Sequence, residues 1–279
     1  MPAGQIAGAR LAVSKMSEST TFESLELEAH LLDRLDALGY EFATPVQALA
    51  IPPAIAGKDV LATARTGTGK TAAFVLPILQ THKAGVIICP TRELALQVVN
   101  EIERLSGLDN IATALIGGAS MKKQIQQLNE WPEAILVATP GRICDHMERG
   151  NVDLNQYDVL VLDEADEMLS RGFKDQIYNI FQYLHESVQV AIFSATFPRE
   201  VLELTTKFMN EPERIIIKNE NLSLEGIQQY FIATFNDQDK LQWLLTLYKQ
   251  YSGGQSIVFV NDIQRVNALY QEMKNAGFS

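Results

Sequence analysis

ATARTGTGKT, residues 62–71, closes the short apolar run Asp59–Thr63 and leads into a helical pattern over Ala72–Leu79. Gly67 and Gly69 free the backbone to turn successive N–H groups toward an anion. The helix that follows adds the partial positive charge of its N-terminus. Within the segment Ala64-Arg65-Thr66-Gly67-Thr68-Gly69-Lys70-Thr71, Lys70 is placed to reach the outer phosphates of a nucleotide. The Thr71 hydroxyl is placed to bind Mg2+. The usual loop of this kind begins with Gly, whereas Ala64 holds that place here. The plain alternative is a Gly-rich turn between strand and helix that holds no ligand.

The same strand-then-helix alternation continues in both directions. Short β-branched runs at Asp59–Thr63, Gly85–Pro90, Ile111–Gly117, Ala134–Thr139, Asp158–Asp163, Val190–Ala195 and Arg214–Lys218 read as strands, with helical stretches between them. This predicts an α/β fold, a parallel sheet flanked by helices. Ligands of such sheets bind outside the carboxyl ends of the strands, and the chemically suggestive residues fall there. VLVLDEADEML, residues 159–169, carries the clearest case: four apolar residues end at Asp163. Asp163 is placed to hold Mg2+, directly or through water, and Glu164 to orient or deprotonate an attacking water. An acidic cluster is commonly a solvated face. Two acids that directly end a buried strand suit that reading less well.

A length of 279 residues suits one large domain or two small ones, and 47% apolar residues provide a core. No run is long and apolar enough to span a membrane. The net charge of −11 excludes bulk electrostatic attraction to nucleic acid, so any such contact needs a local, salt-sensitive site. Cys89 and Cys144 stand far apart near apolar strands. They read as buried free thiols of a reducing compartment. Residues 1–16, MPAGQIAGARLAVSKM, carry Arg10 and Lys15 and no acid. They read as a disordered tail ahead of a second candidate start at Met16, with organelle targeting as the alternative. His30, His82, His146 and His185 lack metal-ligand spacing and read as surface or helix residues; Trp131 and Trp243 read as core or loop packing.

DEAD at Asp163–Asp166, taken with the loop above, resembles the DEAD-box RNA helicase family, and the family's other motifs stand in order. GYEFATPVQ (39–47) resembles its adenine-sensing motif, which implies Gln47 on the adenine edge and Tyr40 stacked on the base. Phe22 stands where the family has an upstream aromatic. Ala43 replaces the usual proline, which implies a looser loop with Gln47 kept. PTRELA (Pro90, Thr91 and Arg92 foremost), the pair Gly117–Gly118, and Thr139-Pro140-Gly141-Arg142 resemble the motifs that hold the RNA backbone. Contacts of that kind are blind to sequence. Lys122 and Lys123 either extend that stripe or simply start a solvated helix. Ser194-Ala195-Thr196 resembles the motif that couples hydrolysis to RNA, with Asp166 as its hydrogen-bond partner; strand-end capping is the alternative for Ser194 and Thr196. The stretches VLVLDEADEMLSRGF and VLELTTKFM look most like the translation-initiation subfamily, initiation factor four A.

The resemblance implies a RecA-like ATP-binding domain over residues 21–219, behind a tail at 1–20. A linker at 220–226 and an incomplete second RecA-like domain at 227–279 would follow. IQQYFIATF (227–235) and Ile257–Val260 read as strands there, and Asp237–Gln250 and Ile263–Met273 as helices. No HRxGRxxR motif, which brings arginine fingers to the γ-phosphate in this family, stands within the 279 residues. Ile263, Val266, Leu269 and Met273 are therefore expected to lie partly bare. The implied activity is RNA-stimulated hydrolysis of ATP with Mg2+ and local unwinding, impaired in this chain. The alternative is an ATP- and RNA-binding module that acts through a partner without turnover. Implied partners are single-stranded or locally duplex RNA and a scaffold or initiation-factor-type protein, for a monomer in the cytoplasm or nucleus.

Overall fold

The computed structural model describes residues 20–64, 67–217, 228, 230–250 and 254–278. The chain divides into two units, residues 1–219 and 220–279. Residues 1–19 of the expected tail and the expected linker 220–226 lie outside the described residues.

The first unit alternates as its sequence predicts. Helices α1 (Ala29–Ala37) and α2 (Pro45–Ile55) precede β1 (Val60–Thr63) and α3 (Lys70–Thr81). Then come β2 (Gly85–Ile88), α4 (Arg92–Ser106), β3 (Ala112–Leu115), α5 (Met121–Glu130), β4 (Ile135–Ala138) and α6 (Pro140–Glu148). The unit ends with β5 (Val159–Asp163), α7 (Ala165–Ser170), α8 (Lys174–Gln182), β6 (Gln189–Ser194), α9 (Arg199–Phe208) and β7 (Glu213–Ile216).

The seven strands form one parallel sheet in the order β3-β4-β2-β5-β6-β1-β7. Alternate residues of each strand feed opposite faces, as the two-residue period of a strand requires. Val60, Ala62, Ile87, Val137, Val161 and Phe193 join the core formed with α1 to α4. Leu61, Val86, Ile88, Leu136, Leu162 and Ile192 join the core formed with α6 to α9. Burial on both faces explains why these strands read as unbroken apolar runs. Each fully buried Leu, Ile or Val contributes about 1.5–3 kcal/mol. Asp59, read as the first residue of a strand, stands just outside it. Its carboxylate accepts the N–H groups of Val190 (2.8 Å) and Asn210 (2.7 Å) and so fastens β6 and the approach to β7 beside β1.

Both cysteines are buried free thiols. Among the four histidines, His146 departs from a surface reading: it lies in α6 at 0% exposure. Trp243 is half-exposed on a helix rather than packed in a core. No helix among the described residues is long and apolar enough to cross a membrane.

The second unit carries α10 (Asp237–Gln250) and α11 (Ile263–Asn275) where the helical patterns stand. The two expected strands do not form among the described residues: residues 228 and 230–235 and Ile257–Val260 pair with nothing. Phe231 and Phe235 are 92% and 100% exposed. A strand is stabilised by its neighbours, and no ladder is offered to either run. Ile263 and Val266 of α11 are exposed, and Leu269 and Met273 are half-exposed, as expected for an uncovered apolar face.

Candidate functional site

β1 delivers the loop read as phosphate-binding. Thr63 pairs with Ser194 of β6, and the N–H of Ala64 donates to the Ser194 carbonyl at 3.1 Å. Arg65 and Thr66 lie outside the described residues. The chain turns through Gly67 (φ 83°) and Gly69 (φ 88°), left-handed conformations that suit glycine. Space demands glycine as well as dihedral: a Cβ on Gly69 would stand 2.5 Å from the amide nitrogen of Gln47. Thr68 follows Gly67 in the turn, and α3 starts at Lys70 with Thr71 in its first turn. The first N–H groups of a helix lack helical partners and suit an anion.

The acid pair meets this loop. Lys70 Nζ lies 2.6 Å from Glu164 Oε1 and 4.0 Å from Asp163 Oδ1, and all three residues are buried. Asp163 ends β5 and its Oδ1 accepts the N–H of Glu164 at 3.0 Å. Glu164 itself sits at φ 53° and ψ 49° and caps α7. That left-handed conformation costs a non-glycine residue about 1–3 kcal/mol, and it turns the side chain back over the loop. Burial, offset by Lys70, pushes the Asp163 carboxyl up to about 6. A cation would repay that desolvation, so the chemistry of this donor set fits Mg2+. Among the described residues no cluster of three or more His, Cys, Asp or Glu could hold a metal. Mg2+ rarely uses such cages, taking instead one or two carboxylates with phosphate oxygens and water.

Gln47 joins the loop to the segment before it. Its Oε1 accepts the N–H of Thr44 at 2.8 Å and its Nε2 donates to the Gly69 carbonyl at 3.1 Å, at 1% exposure. Phe22 is 2% exposed and meets Tyr40 edge to face, with ring centroids 6.0 Å apart. The Tyr40 hydroxyl accepts from Arg104 and donates to Glu101 (3.3 Å), both in α4. Ala43 is tied to the chain before it. Having a hydrogen where proline has none, its N–H donates to the Thr20 carbonyl at 2.8 Å, next to an antiparallel bridge between Thr21 and Phe42.

A second cleft, of about 500 Å³, opens along the ends of β2, β3 and β4. It is lined by Pro90, Thr91, Arg92, Gly117, Thr139, Gly141 and Arg142. Thr91 caps α4 through its hydroxyl, which accepts the N–H of Leu94. Pro140, the first residue of α6, is buried beneath the cleft. Gly118 sits at φ 79°, a conformation that suits glycine, and a side chain there would displace the Arg92 guanidinium that lies across it. Sequence reading missed three residues here. Arg171 and Phe173 also line it, beside Glu93 of the PTRELA stretch, and Gln124, 2% exposed, holds Arg142 Nη1 at 2.8 Å. The signal for Gln124 is its place in the stripe Met121, Gln124, Ile125, Leu128, where a polar residue interrupts the apolar face of α5.

Asp166, in α7, bonds to the end of β6 and the residues after it. Its carboxylate accepts the Thr196 hydroxyl at 2.6 Å and the Thr196 N–H at 3.0 Å, and its own N–H donates to Ser194 Oγ at 3.2 Å. Burial raises this carboxyl; hydrogen bonds from Thr196, Ser194 and the backbone outweigh burial and leave it below its ordinary value. α7 is a six-residue helix, about 9 Å long. It starts beside Glu164 and is followed by Arg171 of the second cleft.

Residues 44–204 match the family model described as DEAD/DEAH box helicase. The chain is 42% identical over 266 residues to the ATP-dependent RNA helicase eIF4A of Debaryomyces hansenii, covering 93% of this chain and 67% of the relative. The protein of the same name from Neosartorya fischeri is 41% identical, covering 100% of this chain and 70% of its own length. Among solved structures, a DEAD box protein from the hyperthermophile Methanococcus jannaschii superposes with a TM-score of 0.67 at 33% identity, over 92% of this chain and 71% of that one. A hypothetical ATP-dependent RNA helicase from Sulfolobus tokodaii gives 0.66 at 31% identity, over 88% of this chain and 72% of that one.

Proposed function

The chain belongs to the DEAD/DEAH box helicase family, and from that premise we propose that it binds ATP with Mg2+ and hydrolyses it in step with gripping the backbone of an RNA strand. The observation that carries this reading is the contact of Lys70 with Glu164 beside the glycine turn. A buried ammonium and carboxylate so placed have a use once a triphosphate arrives. Lys70 exchanges Glu164 for phosphate oxygens, and Glu164 is released to take the proton of the attacking water. Asp163 and the Thr71 hydroxyl hold Mg2+, whose charge, when bound, offsets that building on the phosphate oxygens. Gln47 reads the adenine edge after its amide leaves the Gly69 carbonyl, with Tyr40 and Phe22 on the base side. Arg65 and Thr66 belong to the same loop.

Arg92, Gly118, Thr139 and Arg142 hold successive RNA phosphates or 2′-hydroxyls, and Asp166, Ser194 and Thr196 couple that grip to the phosphate site. Such contacts explain how a chain of net charge −11 takes RNA: the site is local and blind to base. The similarity to a probable eukaryotic initiation factor 4A supports an initiation-factor-type protein partner, and a cytoplasmic location is part of the same proposal. No HRxGRxxR motif stands in the 279 residues. A polypeptide of these residues alone is therefore expected to turn over ATP slowly, arginine fingers being worth about 10^3–10^5 in rate. In the second reading, a polypeptide of these residues binds both ligands without turnover.

Equilibrium binding tests the proposal. A Mg2+–ATP analogue should bind better than its guanosine counterpart, and oligouridine and oligoadenosine should bind alike. Lys70→Ala should remove the nucleotide and leave the RNA. Absent nucleotide binding, or RNA affinity that follows base identity, would overturn it.

A further inference from the structure

We infer that Gln124 is a positioning residue for Arg142, and that the buried pair Gln124–His146 fixes how this arginine is presented to RNA. The inference rests on the reading of Arg142 as an RNA contact. Every hydrogen-bonding position of the Gln124 amide is used. Its Nε2 donates to the carbonyls of Ile116 (3.1 Å) and Ala114 (3.3 Å), around the end of β3. Its Oε1 accepts from Arg142 Nη1 (2.8 Å) and meets His146 Nε2 (3.0 Å).

This pattern leaves the amide one orientation. Two backbone carbonyls need the NH2 group, so the oxygen must face α6. The oxygen can only accept, so His146 carries its proton on Nε2. Among the described residues its Nδ1 is buried without a hydrogen-bond partner, which is consistent with a neutral ring, and burial holds His146 below the ordinary imidazole value. His146 thereby takes one lone pair of Oε1 and leaves the other directed at Arg142. The same guanidinium nitrogen donates to the Ala119 carbonyl at 3.2 Å, so Arg142 is held on two sides. It spans from α6 to the turn that follows Gly118. An arginine held in this way loses less side-chain freedom when it meets a phosphate.

The test is a mutant cycle read by fluorescence anisotropy of a labelled oligouridine, with affinity for a Mg2+–ATP analogue as the control. Gln124→Leu is expected to weaken RNA binding about tenfold, the worth of a hydrogen bond to a charged group, and to leave nucleotide affinity unchanged. In an Arg142→Ala background the same substitution is expected to add nothing. Gln124→Glu, which in its protonated form keeps the acceptor for Arg142 and a donor toward the Ile116 and Ala114 carbonyls, is expected to retain RNA affinity, and it serves also if the leucine variant fails to fold. Arg142→Ala without effect on RNA would overturn the RNA reading and this inference together. Weakening by Arg142→Ala with an additive Gln124→Leu effect, or with a Gln124→Glu loss equal to that of Leu, would overturn the inference alone.

Discussion

Lys70 and Glu164 face each other across 2.6 Å with side chains 5% and 11% exposed, joining the start of α3 to the end of β5. Removing one charge from such a buried pair costs more than removing both. Lys70→Met is expected to destabilise the protein by about 3 kcal/mol. Adding Glu164→Gln to it should recover most of that loss. Urea unfolding of the two single variants and the double variant gives the comparison, and additive losses would contradict it.

Asp163 is costly to keep charged. Its carboxyl is pushed up to about 6 by burial, against an ordinary 3.8. The folded state therefore holds its proton longer than the unfolded chain does, and stability falls as pH rises between those values. Above about 6 the whole cost is present. Asp163→Asn keeps the acceptor for the Glu164 N–H. It is expected to stabilise the protein by about 1–3 kcal/mol at pH 7.5 and to abolish turnover. Thermal melts at pH 4 and 7.5 should show the gain only at the higher pH.

The carboxylate of Asp166 behaves in the opposite sense. Hydrogen bonds from Thr196 hold it below its ordinary value despite burial, so its contribution is present above pH 4 and is lost as pH falls through the depressed value. Asp166→Ala should lower the melting temperature at pH 7 and by progressively less toward pH 3. A difference that does not change with pH would contradict this.

Gly69 and Ala43 test the adenine end. Gly69→Ala places a methyl 2.5 Å from Gln47 Nε2 at a φ of 88°, and nucleotide affinity should fall at least about tenfold. Ala43→Pro removes the N–H that holds the Thr20 carbonyl. It is expected to cost about 1 kcal/mol of stability. A neutral or stabilising result by thermal melting would show that the Thr20 contact is dispensable.

Much of this was legible because it is local. Glycines before a Lys-Thr pair, or acids ending an apolar run, reveal a strand end from a dozen residues. What was not legible depends on distant chain. Ala43 read as a lost proline, and only the fold brings Thr20 to its N–H. Gln124 drew no reading from the sequence, because only the fold closes β3 and α6 around its amide. Phe231, Phe235 and Phe259 have the side chains of strands, but a strand also requires a neighbour, which these segments do not find among the described residues. His146 lacked metal-ligand spacing and so carried no signal, although it holds one lone pair of Gln124.

ATP turnover with and without single-stranded RNA tests the central claim most directly. Hydrolysis is expected to be slow, to increase when oligouridine is added and to disappear in Glu164→Gln, while that variant still binds the Mg2+–ATP analogue. Turnover indifferent to RNA, or unchanged in Glu164→Gln, would contradict it.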